Sequence, residues 1–178
     1  MRVFLDSEFT GLVSGAELIS IGLISQDGRT FYAELNDYDA KNINDWLREN
    51  VITHLRFTEF RSNPRLDLEH HAMKTSRFDV SNALSEWLAQ WDKVEIWGDC
   101  IAYDWVLFCG LFGGAMKIPS NVYYIPFDIA TLFYVRGIDP DISRVEYAGA
   151  SEAKHNALHD AKIIRSCYLR LNAGESIK

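Results

Sequence analysis

Residues 18–35 read LISIGLISQDGRTFYAEL and carry the clearest structural pattern in the sequence. Two apolar runs, Leu18–Ser25 and Thr30–Leu35, flank Gln26-Asp27-Gly28-Arg29, and a short Gly-containing segment between such runs is typical of a β-hairpin. Residues 3–8 read VFLDSE and predict a strand that precedes the hairpin. We therefore expect the fold to begin with an antiparallel meander of three strands.

The rest of the sequence alternates helical and extended patterns. A short helix is predicted at residues 44–49. Further helices are predicted at residues 80–91, 104–112, 128–135 and Ala157–Leu171, with strands at residues 94–97 and 122–125 between them. Strands that alternate with helices pair in parallel through crossover connections. The sequence therefore predicts an α/β fold in which a mixed five-stranded sheet, an antiparallel meander followed by parallel strands, carries helices on both faces.

Length and composition limit the organisation of the chain. With 178 residues, of which 48% are hydrophobic and 24% charged, the chain can build one well-packed core, so we predict one domain over residues 1–178. No apolar run reaches the roughly 20 residues of a membrane span, and acidic residues interrupt the N-terminus where a signal peptide would be apolar. Three cysteines without metal-ligand spacing indicate reduced core thiols. We expect a cytoplasmic protein that does not bind membranes.

The charge of the chain restricts its partners. A net charge of −7 disfavours a tight, nonspecific binder of long duplexes. It does not exclude a metal-dependent nuclease, because bound cations reverse the sign of an acidic site. Residues 53–77 are a locally basic insertion that we predict to be irregular. This segment is either a solvated connection or a part of the chain that guides substrate or pairs subunits.

Two carboxylates lie two positions apart in the first predicted strand, at Asp6 and Glu8. The strand period of two places both on one face, about 7 Å apart. In a poorly solvated site these groups repel each other unless they bind a cation or take up protons. Hard oxygen ligands of this kind suit Mg²⁺ or Mn²⁺. Exposed acids at strand ends are also common, so this pair alone does not define a metal site.

Two more acids lead the apolar faces of predicted helices. Asp104 would open the helix at residues 104–112, and Asp160 lies in the first turn of the last helix. Steps of three and four from these acids reach Leu107, Phe108, Leu111, Ile163, Ile164, Cys167 and Leu171. A carboxylate on a buried face is costly without a cationic partner. Asp104 could instead complement the helix dipole, a role that does not require the core-facing side.

His155 precedes Asp160 by five residues, a spacing that would turn the two side chains apart on one continuous helix. Asn156 is a suitable N-cap, and a helix that begins after it leaves His155 in the preceding loop, free to reach the same site. A histidine there is a candidate general base, because it is neutral near pH 7 and can accept a proton from water. A histidine in a loop is also often an ordinary surface residue.

Three segments together resemble the motifs of a known family. They are Asp6-Ser7-Glu8-Phe9-Thr10-Gly11, Trp97-Gly98 with Tyr103-Asp104, and His155-Asn156-Ala157-Leu158-His159-Asp160. In order and spacing they are similar to the motifs of the DEDDh family of 3′-5′ exonucleases, the DnaQ-like branch of the RNase H-like superfamily. The match covers residues 6–160, and within the family the chain looks closest to the small stand-alone enzymes of bacteria and phages.

The resemblance implies roles for each residue and a set of cofactors. It implies two divalent cations, Mg²⁺ or Mn²⁺, with Asp6 between both, Glu8 and Asp160 at the first, and Asp104 supporting the second. His155 would deprotonate the attacking water, and nucleoside 5′-monophosphates would leave one at a time from a single-stranded 3′ end. The family also implies a homodimer.

The residues after Glu8 in this family contact the terminal nucleotide, which makes Phe9, Thr10 and Leu12 the candidate substrate-binding residues. Phe9 stands where many relatives have Thr, and it could stack on a base or simply belong to the core. Asp99 stands where relatives often have Asn, and it could bind substrate, contact a metal or cap the following helix. We expect the cap. Asp128 is expected to be an acid at a helix N-terminus.

We therefore predict a metal-dependent 3′-5′ exonuclease acting on single-stranded RNA or DNA, with RNA slightly favoured. An exodeoxyribonuclease, another metal-dependent phosphodiesterase and an endonuclease of the RNase H type would use similar acids, although His155 favours the exonuclease. A non-catalytic nucleic-acid-binding module is a further alternative, but such a module would not need to retain every acid and the histidine.

Overall fold

A mixed β-sheet organises the computed structural model, which describes residues 1–57, 70–150 and 155–173. Within these residues the sheet has six strands: β1 (Arg2–Phe9), β2 (Leu18–Ser25), β3 (Thr30–Leu35), β4 (His70–Thr75), β5 (Glu95–Gly98) and β6 (Phe127–Asp128). Their order across the sheet is β4-β3-β2-β1-β5-β6. The predicted antiparallel meander is confirmed, since β2 pairs antiparallel with both β1 and β3. The remaining pairs, β3–β4, β1–β5 and β5–β6, are parallel.

The hairpin between β2 and β3 follows from its turn sequence. Gly28 has a φ of 100°, a left-handed conformation that glycine adopts without a steric penalty. The Gly28 backbone N–H donates to the Ser25 carbonyl at 3.0 Å, and the Ser25 N–H donates to the Arg29 carbonyl at 2.9 Å. These bonds close the turn and fix the register in which β2 faces β3.

Helices cover both faces of the sheet, as predicted. They are α1 (Asp45–Asn50), α2 (Arg77–Leu88), α3 (Ala102–Leu111), α4 (Ile129–Val135), α5 (Arg144–Ala148) and α6 (Ala157–Leu171). One apolar cluster joins α2 and α3 to Val3 and Leu5 of β1, and another joins α4 and α6 to Phe4. Successive side chains of β1 point to opposite faces of the sheet, so they pack in two different cores. Every helix in the described residues is too short or too polar to span a membrane.

The sheet has one strand more than predicted. Residues 70–75 belong to the segment 53–77 that was expected to be irregular, yet they form β4 and pair along the free edge of β3 from Thr30 to Leu35. The sequence HHAMKT of this strand lacks a clear alternation, so only the non-local pairing with β3 reveals it. Residues 58–69 of the same segment lie outside the described residues.

Two boundaries in the second half also differ from the prediction. The expected strand at residues 122–125 is reduced to a single bridge between Val122 and Val94, and pairing with β5 occurs at β6 instead. The Tyr124 side chain is exposed. Its preference for strands depends on packing against neighbouring strands, and that packing is missing here. In addition, α3 begins at Ala102, which makes Asp104 its third residue rather than its first.

A close backbone contact joins the sheet to the start of α6. A Cβ atom at Gly22 of β2 would lie 2.2 Å from the Leu158 backbone nitrogen and 2.4 Å from the Ala157 carbonyl carbon. Real side chains do not approach a backbone so closely, so a residue other than glycine would push α6 away from the sheet. Gly22 therefore determines how deeply the first turn of α6 is seated.

We predict that Gly22→Ala destabilises the protein by about 3 kcal/mol, because the added methyl group meets backbone atoms that cannot rotate away. Thermal unfolding measures the effect as a lower Tm. Gly110→Ala is the matched control, since Gly110 lies exposed in α3 with open space around its Cβ position, and that change should leave the Tm equal or slightly higher. An unchanged Tm in the Gly22 variant would contradict this account of α6.

Candidate active site

Strand β1 presents two acids on the face of the sheet that α6 covers. Asp6 pairs with Gly22 of β2, and Glu8 pairs with Ser20. Because side chains alternate along a strand, Asp6 and Glu8 share the face on which Phe4 packs against α6. Since the start of α6 rests directly on Gly22, Asp6 lies beside the first turn of that helix.

The first turn of α6 supplies the third acid. The Asn156 side chain accepts a hydrogen bond from the His159 N–H at 3.2 Å, so the predicted N-cap is confirmed and the helix begins at Ala157. One carboxylate oxygen each from Asp6, Glu8 and Asp160 lies within 4.8 Å of the other two. We call these three residues the acidic cluster. The structure thus brings together three of the four acids that were predicted to bind metal ions.

The electrostatics of the acidic cluster are unfavourable without a cation. Burial, followed by the charges of Asp160 and Asp104, raises the pKa of Glu8 to about 8. Burial and then the charge of Asp104 raise the pKa of Asp6 well above its usual range, and burial raises the pKa of Asp160. Within the described residues, no Lys or Arg forms an ion pair with the cluster. Converging, half-buried oxygen donors without a counter-charge fit a hard divalent cation.

Asp104 lies near the acidic cluster but is not part of it. Its carboxylate accepts a hydrogen bond of 2.5 Å from the Ser7 hydroxyl, which projects from the opposite face of β1 to Asp6 and Glu8. Burial raises the pKa of Asp104 to about 6, although the Ser7 hydrogen bond acts in the opposite direction. The negative charge of Asp104 nevertheless reaches Asp6, whose pKa it raises.

His155 occupies the loop position that the sequence predicted for it. Its backbone has a φ of 32°, one of two left-handed conformations among the described non-glycine residues. The exposed imidazole contacts the Trp46 ring edge-on, with centroids 5.3 Å apart and planes at 70°. His155 also lowers the pKa of Asp160, after the larger effects of burial and of His159. The imidazole therefore stands at the margin of the acidic cluster.

A groove of about 270 Å³ opens beside Glu8 and is lined by all three predicted substrate-binding residues, Phe9, Thr10 and Leu12. Their surroundings differ. The Leu12 side chain is 70% exposed and free to contact a ligand, whereas the Thr10 hydroxyl accepts a hydrogen bond from the Glu17 N–H at 2.9 Å. Phe9 stacks on Tyr103 with centroids 5.9 Å apart. Thr10 is thus partly engaged in shaping the loop.

Sequence reasoning missed the opposite wall of this groove, which α1 provides through Asn44 and Trp46. Asn44 is the N-cap of α1 and accepts a hydrogen bond from the Leu47 N–H at 2.8 Å. Trp46 is 55% exposed, an unusual surface position for so large an aromatic side chain. In the sequence, the observation that could have indicated this wall is the presence of a tryptophan on the polar face of the short predicted helix.

The remaining acids near the site have structural partners. Asp99 does not cap α3, contrary to expectation, because both of its carboxylate oxygens bind the Arg144 guanidinium at 2.9 Å. Asp128 is confirmed as a helix acid, since it caps α4 through the Ala130 N–H at 2.7 Å. Its second oxygen accepts from the Ile101 N–H at 3.0 Å, so Asp128 also satisfies the backbone where α3 begins.

The fold is shared with a solved nuclease structure. The catalytic unit of Neurospora crassa Pan2, comprising a protease and a nuclease domain, superposes with a TM-score of 0.55 and 16% sequence identity. The superposition covers 97% of this chain and 27% of the Pan2 chain. At this level of identity the similarity concerns the fold alone, and it agrees with the RNase H-like architecture that the motifs implied.

Sequence comparison identifies the family. The family model of the 3′-5′ exoribonuclease Rv2179c-like domain matches residues 1–170. The 3′-5′ exoribonuclease Rv2179c of Mycobacterium tuberculosis strain H37Rv is 32% identical over 142 residues, which are 77% of this chain and 76% of the relative. The 3′-5′ exoribonuclease MT2234.1 of strain CDC 1551 matches with the same values. The resemblance to DEDD-type exonucleases is therefore confirmed, and the chain belongs to the Rv2179c-like family and is a hydrolase that acts as a 3′-5′ exonuclease.

Proposed function

We propose that the protein removes nucleoside 5′-monophosphates one at a time from the 3′ end of single-stranded RNA, in a reaction that requires two divalent cations, Mg²⁺ or Mn²⁺. The observation that carries this proposal is the convergence of Asp6, Glu8 and Asp160 within 4.8 Å, beside a groove and next to His155. RNA is favoured over DNA because the relatives of the chain are named exoribonucleases.

The acidic cluster would hold one cation, and Asp6 together with Asp104 would hold the second. Carboxylate oxygens suit both Mg²⁺ and Mn²⁺. When bound, these cations would supply Lewis-acid assistance and neutralise negative charge at the scissile phosphate. Ser7 would orient the Asp104 carboxylate through their hydrogen bond and leave its other oxygen available.

His155 would act as the general base. A ring nitrogen of the imidazole would accept a proton from the water molecule that attacks phosphorus. The bond between phosphorus and the 3′ oxygen of the preceding nucleotide then breaks, which yields a nucleoside 5′-monophosphate and a new 3′ end. The contact with Trp46 would limit rotation of the imidazole, and the cap at Asn156 fixes the backbone beside it.

The groove beside Glu8 would bind the terminal nucleoside. This groove is lined by Trp46 from α1, by Phe9 at the end of β1 and by Leu12 from the loop after β1. Exposed aromatic rings provide stacking surfaces that accept any base, and such stacking contributes about 1–3 kcal/mol per base. Placed between the acids and these rings, a 3′-terminal nucleotide would have its phosphate at the acidic cluster.

Matched RNA and DNA oligonucleotides test the activity. We expect 5′-labelled single-stranded RNA with a free 3′ end to shorten stepwise in Mg²⁺ or Mn²⁺, with monophosphate products detected by chromatography. RNA with a blocked 3′ end and all reactions in EDTA should remain intact. Faster degradation of DNA would favour an exodeoxyribonuclease, and internal cleavage of the blocked oligonucleotide would contradict the exonuclease direction.

A second prediction concerns stability and pH. The pKa of Glu8 is raised to about 8 in the folded protein, so folding favours the protonated carboxyl. The contribution of Glu8 to stability is therefore fully present below the pKa of the unfolded chain, near 4.5, and is lost as the pH rises through about 8. Without divalent cations, Glu8→Gln should therefore stabilise the protein above pH 8, by on the order of 2 kcal/mol or several degrees in Tm, and have little effect at pH 4.

The control for this measurement is Glu146→Gln, which removes an equal charge from the exposed surface of α5. Its Tm should follow that of the wild type in EDTA at every pH. Addition of Mg²⁺ or Mn²⁺ should raise the Tm of the wild type and of the control but have a smaller effect on the Glu8 variant. Equal stabilisation of all three proteins would exclude Glu8 as a ligand.

A third prediction separates the two histidines near Asp160. His155→Asn should lower kcat by about 10²- to 10⁴-fold, because the variant lacks a proton acceptor, while the increase of Tm with divalent cations is retained. His159→Asn should lower kcat by less than tenfold. Single-turnover rates on one RNA substrate provide the comparison, and a reversed order would assign the base role to His159.

A further inference from the structure

Two basic residues, Arg56 and Lys162, lie in the region where β3 meets α6. The Arg56 guanidinium covers the Tyr32 ring at 5.3 Å from its centroid, and Tyr32 packs in one apolar cluster with Leu158 of α6. Lys162 follows Leu158 by four residues and so lies on the same side of the helix, one turn further along.

The backbone of Arg56 is held by a buried carboxylate. Glu34 is fully buried and accepts hydrogen bonds from the backbone N–H groups of Arg56 at 2.5 Å and Phe57 at 3.0 Å. The Lys74 ammonium lies 3.7 Å from the second oxygen of Glu34 and donates to the Phe57 carbonyl at 3.1 Å. Lys74 therefore balances the charge of Glu34. The hydrogen bond from the Arg56 N–H to Glu34 fixes the Arg56 backbone before any ligand binds.

Arg56 and Lys162 have no acidic partner within residues 1–57, 70–150 and 155–173. Both side chains are exposed. Two adjacent cations repel each other, and the ring of Tyr32 compensates only one of them. An anion bound between them would remove this repulsion, and the guanidinium offers the planar set of donors that matches phosphate oxygens.

The position of this pair suits the upstream part of a nucleic-acid substrate. Tyr32 pairs with Gly22, which pairs with Asp6, so the pair lies two strands from the acidic cluster, or about 10 Å across the sheet. The Asn156 amide contacts the His54 carbonyl at 3.5 Å, which ties the segment before Arg56 to the start of α6 beside His155. The Arg56–Lys162 pair and the acidic cluster thus flank the first turns of one helix.

We propose that Arg56 and Lys162 form a phosphate-binding subsite for single-stranded RNA upstream of the nucleotide that is removed, an inference that rests on the proposed exoribonuclease function. The subsite would supply local positive charge in a chain whose net charge is −7. A dinucleotide would be too short to reach it, whereas longer substrates would engage it with a phosphate and bind more tightly.

The test compares substrate lengths in the full chain. We expect Arg56→Gln combined with Lys162→Gln to lower kcat/KM on a single-stranded RNA of roughly 12 nucleotides by about three- to tenfold and to leave kcat/KM on a dinucleotide unchanged. Binding of the fluorescein-labelled longer RNA, measured by anisotropy in EDTA, should weaken by a similar factor. The slope of log affinity against log salt should become shallower by about 0.7 for each lost phosphate contact.

Two matched variants control for charge and fold. Arg170→Gln with Lys93→Gln removes the same charge from an arginine and a lysine that also lie over tyrosine rings, Tyr147 and Tyr123, and it should behave as the wild type on both substrates. Arg56→Lys with Lys162→Arg keeps both charges and should restore binding of the longer RNA.

The proposal is overturned if the glutamine variant binds the longer RNA as tightly as the wild type, or if both substrates lose activity equally. A changed sedimentation coefficient would instead assign the pair to a contact between subunits and would also overturn it. If the wild type hydrolyses neither substrate, the proposed function fails, while the anisotropy measurement still decides whether the pair binds RNA.

Discussion

The contact between Gly22 and the start of α6 is the constraint on which the active site depends. Gly22 is also the cross-strand neighbour of Asp6, so the contact that seats the helix sets the distance between Asp6 and Asp160. The helix must begin at that point, because Asn156 caps it and His155 turns the preceding backbone into a left-handed conformation. The absence of a side chain at Gly22 therefore lets Asp6, near one end of the sequence, align with His155 and Asp160, near the other end.

The alignment has an energetic consequence for the whole fold. Each unit of pKa displacement corresponds to about 1.4 kcal/mol of preference for the protonated carboxyl, and several carboxyl groups of this site are displaced in the same direction. A domain is stable by only about 5–15 kcal/mol in total. Burial of these carboxyl groups, to which their mutual repulsion adds, thus opposes folding when they are ionised, and the apolar clusters on both faces of the sheet must offset this cost in the absence of cations. Cofactor binding and folding stability are therefore linked at this site.

The parts of the site that local rules govern could be predicted from the sequence. The period of two in β1 placed Asp6 and Glu8 together, and the apolar stripe of α6 with its cap placed Asp160 beside them. The parts that depend on non-local contacts could not be predicted. The strand β4 is defined by the free edge of β3, and Trp46 lines the groove only because α1 folds over the loop after β1. Asp99 fits the pattern of a helix cap, and only the fold brings Arg144 within reach of it.

The partners of the other acids explain why the acidic cluster is available to cations from solution. Arg144 binds Asp99 with two contacts, Lys74 approaches the buried Glu34, and backbone N–H groups at two helix starts satisfy Asp128. Each of these acids has its charge compensated by the protein itself. The acidic cluster has no such ion pair within the described residues, so its charge must be balanced by protons or by metal ions. Because Arg144 and Lys74 are paired with Asp99 and Glu34, neither of these two cations competes with a divalent cation for the oxygens of the acidic cluster. The proposed binding of cations at this site thus depends on the pairing of the surrounding acids as well as on the three carboxylates themselves.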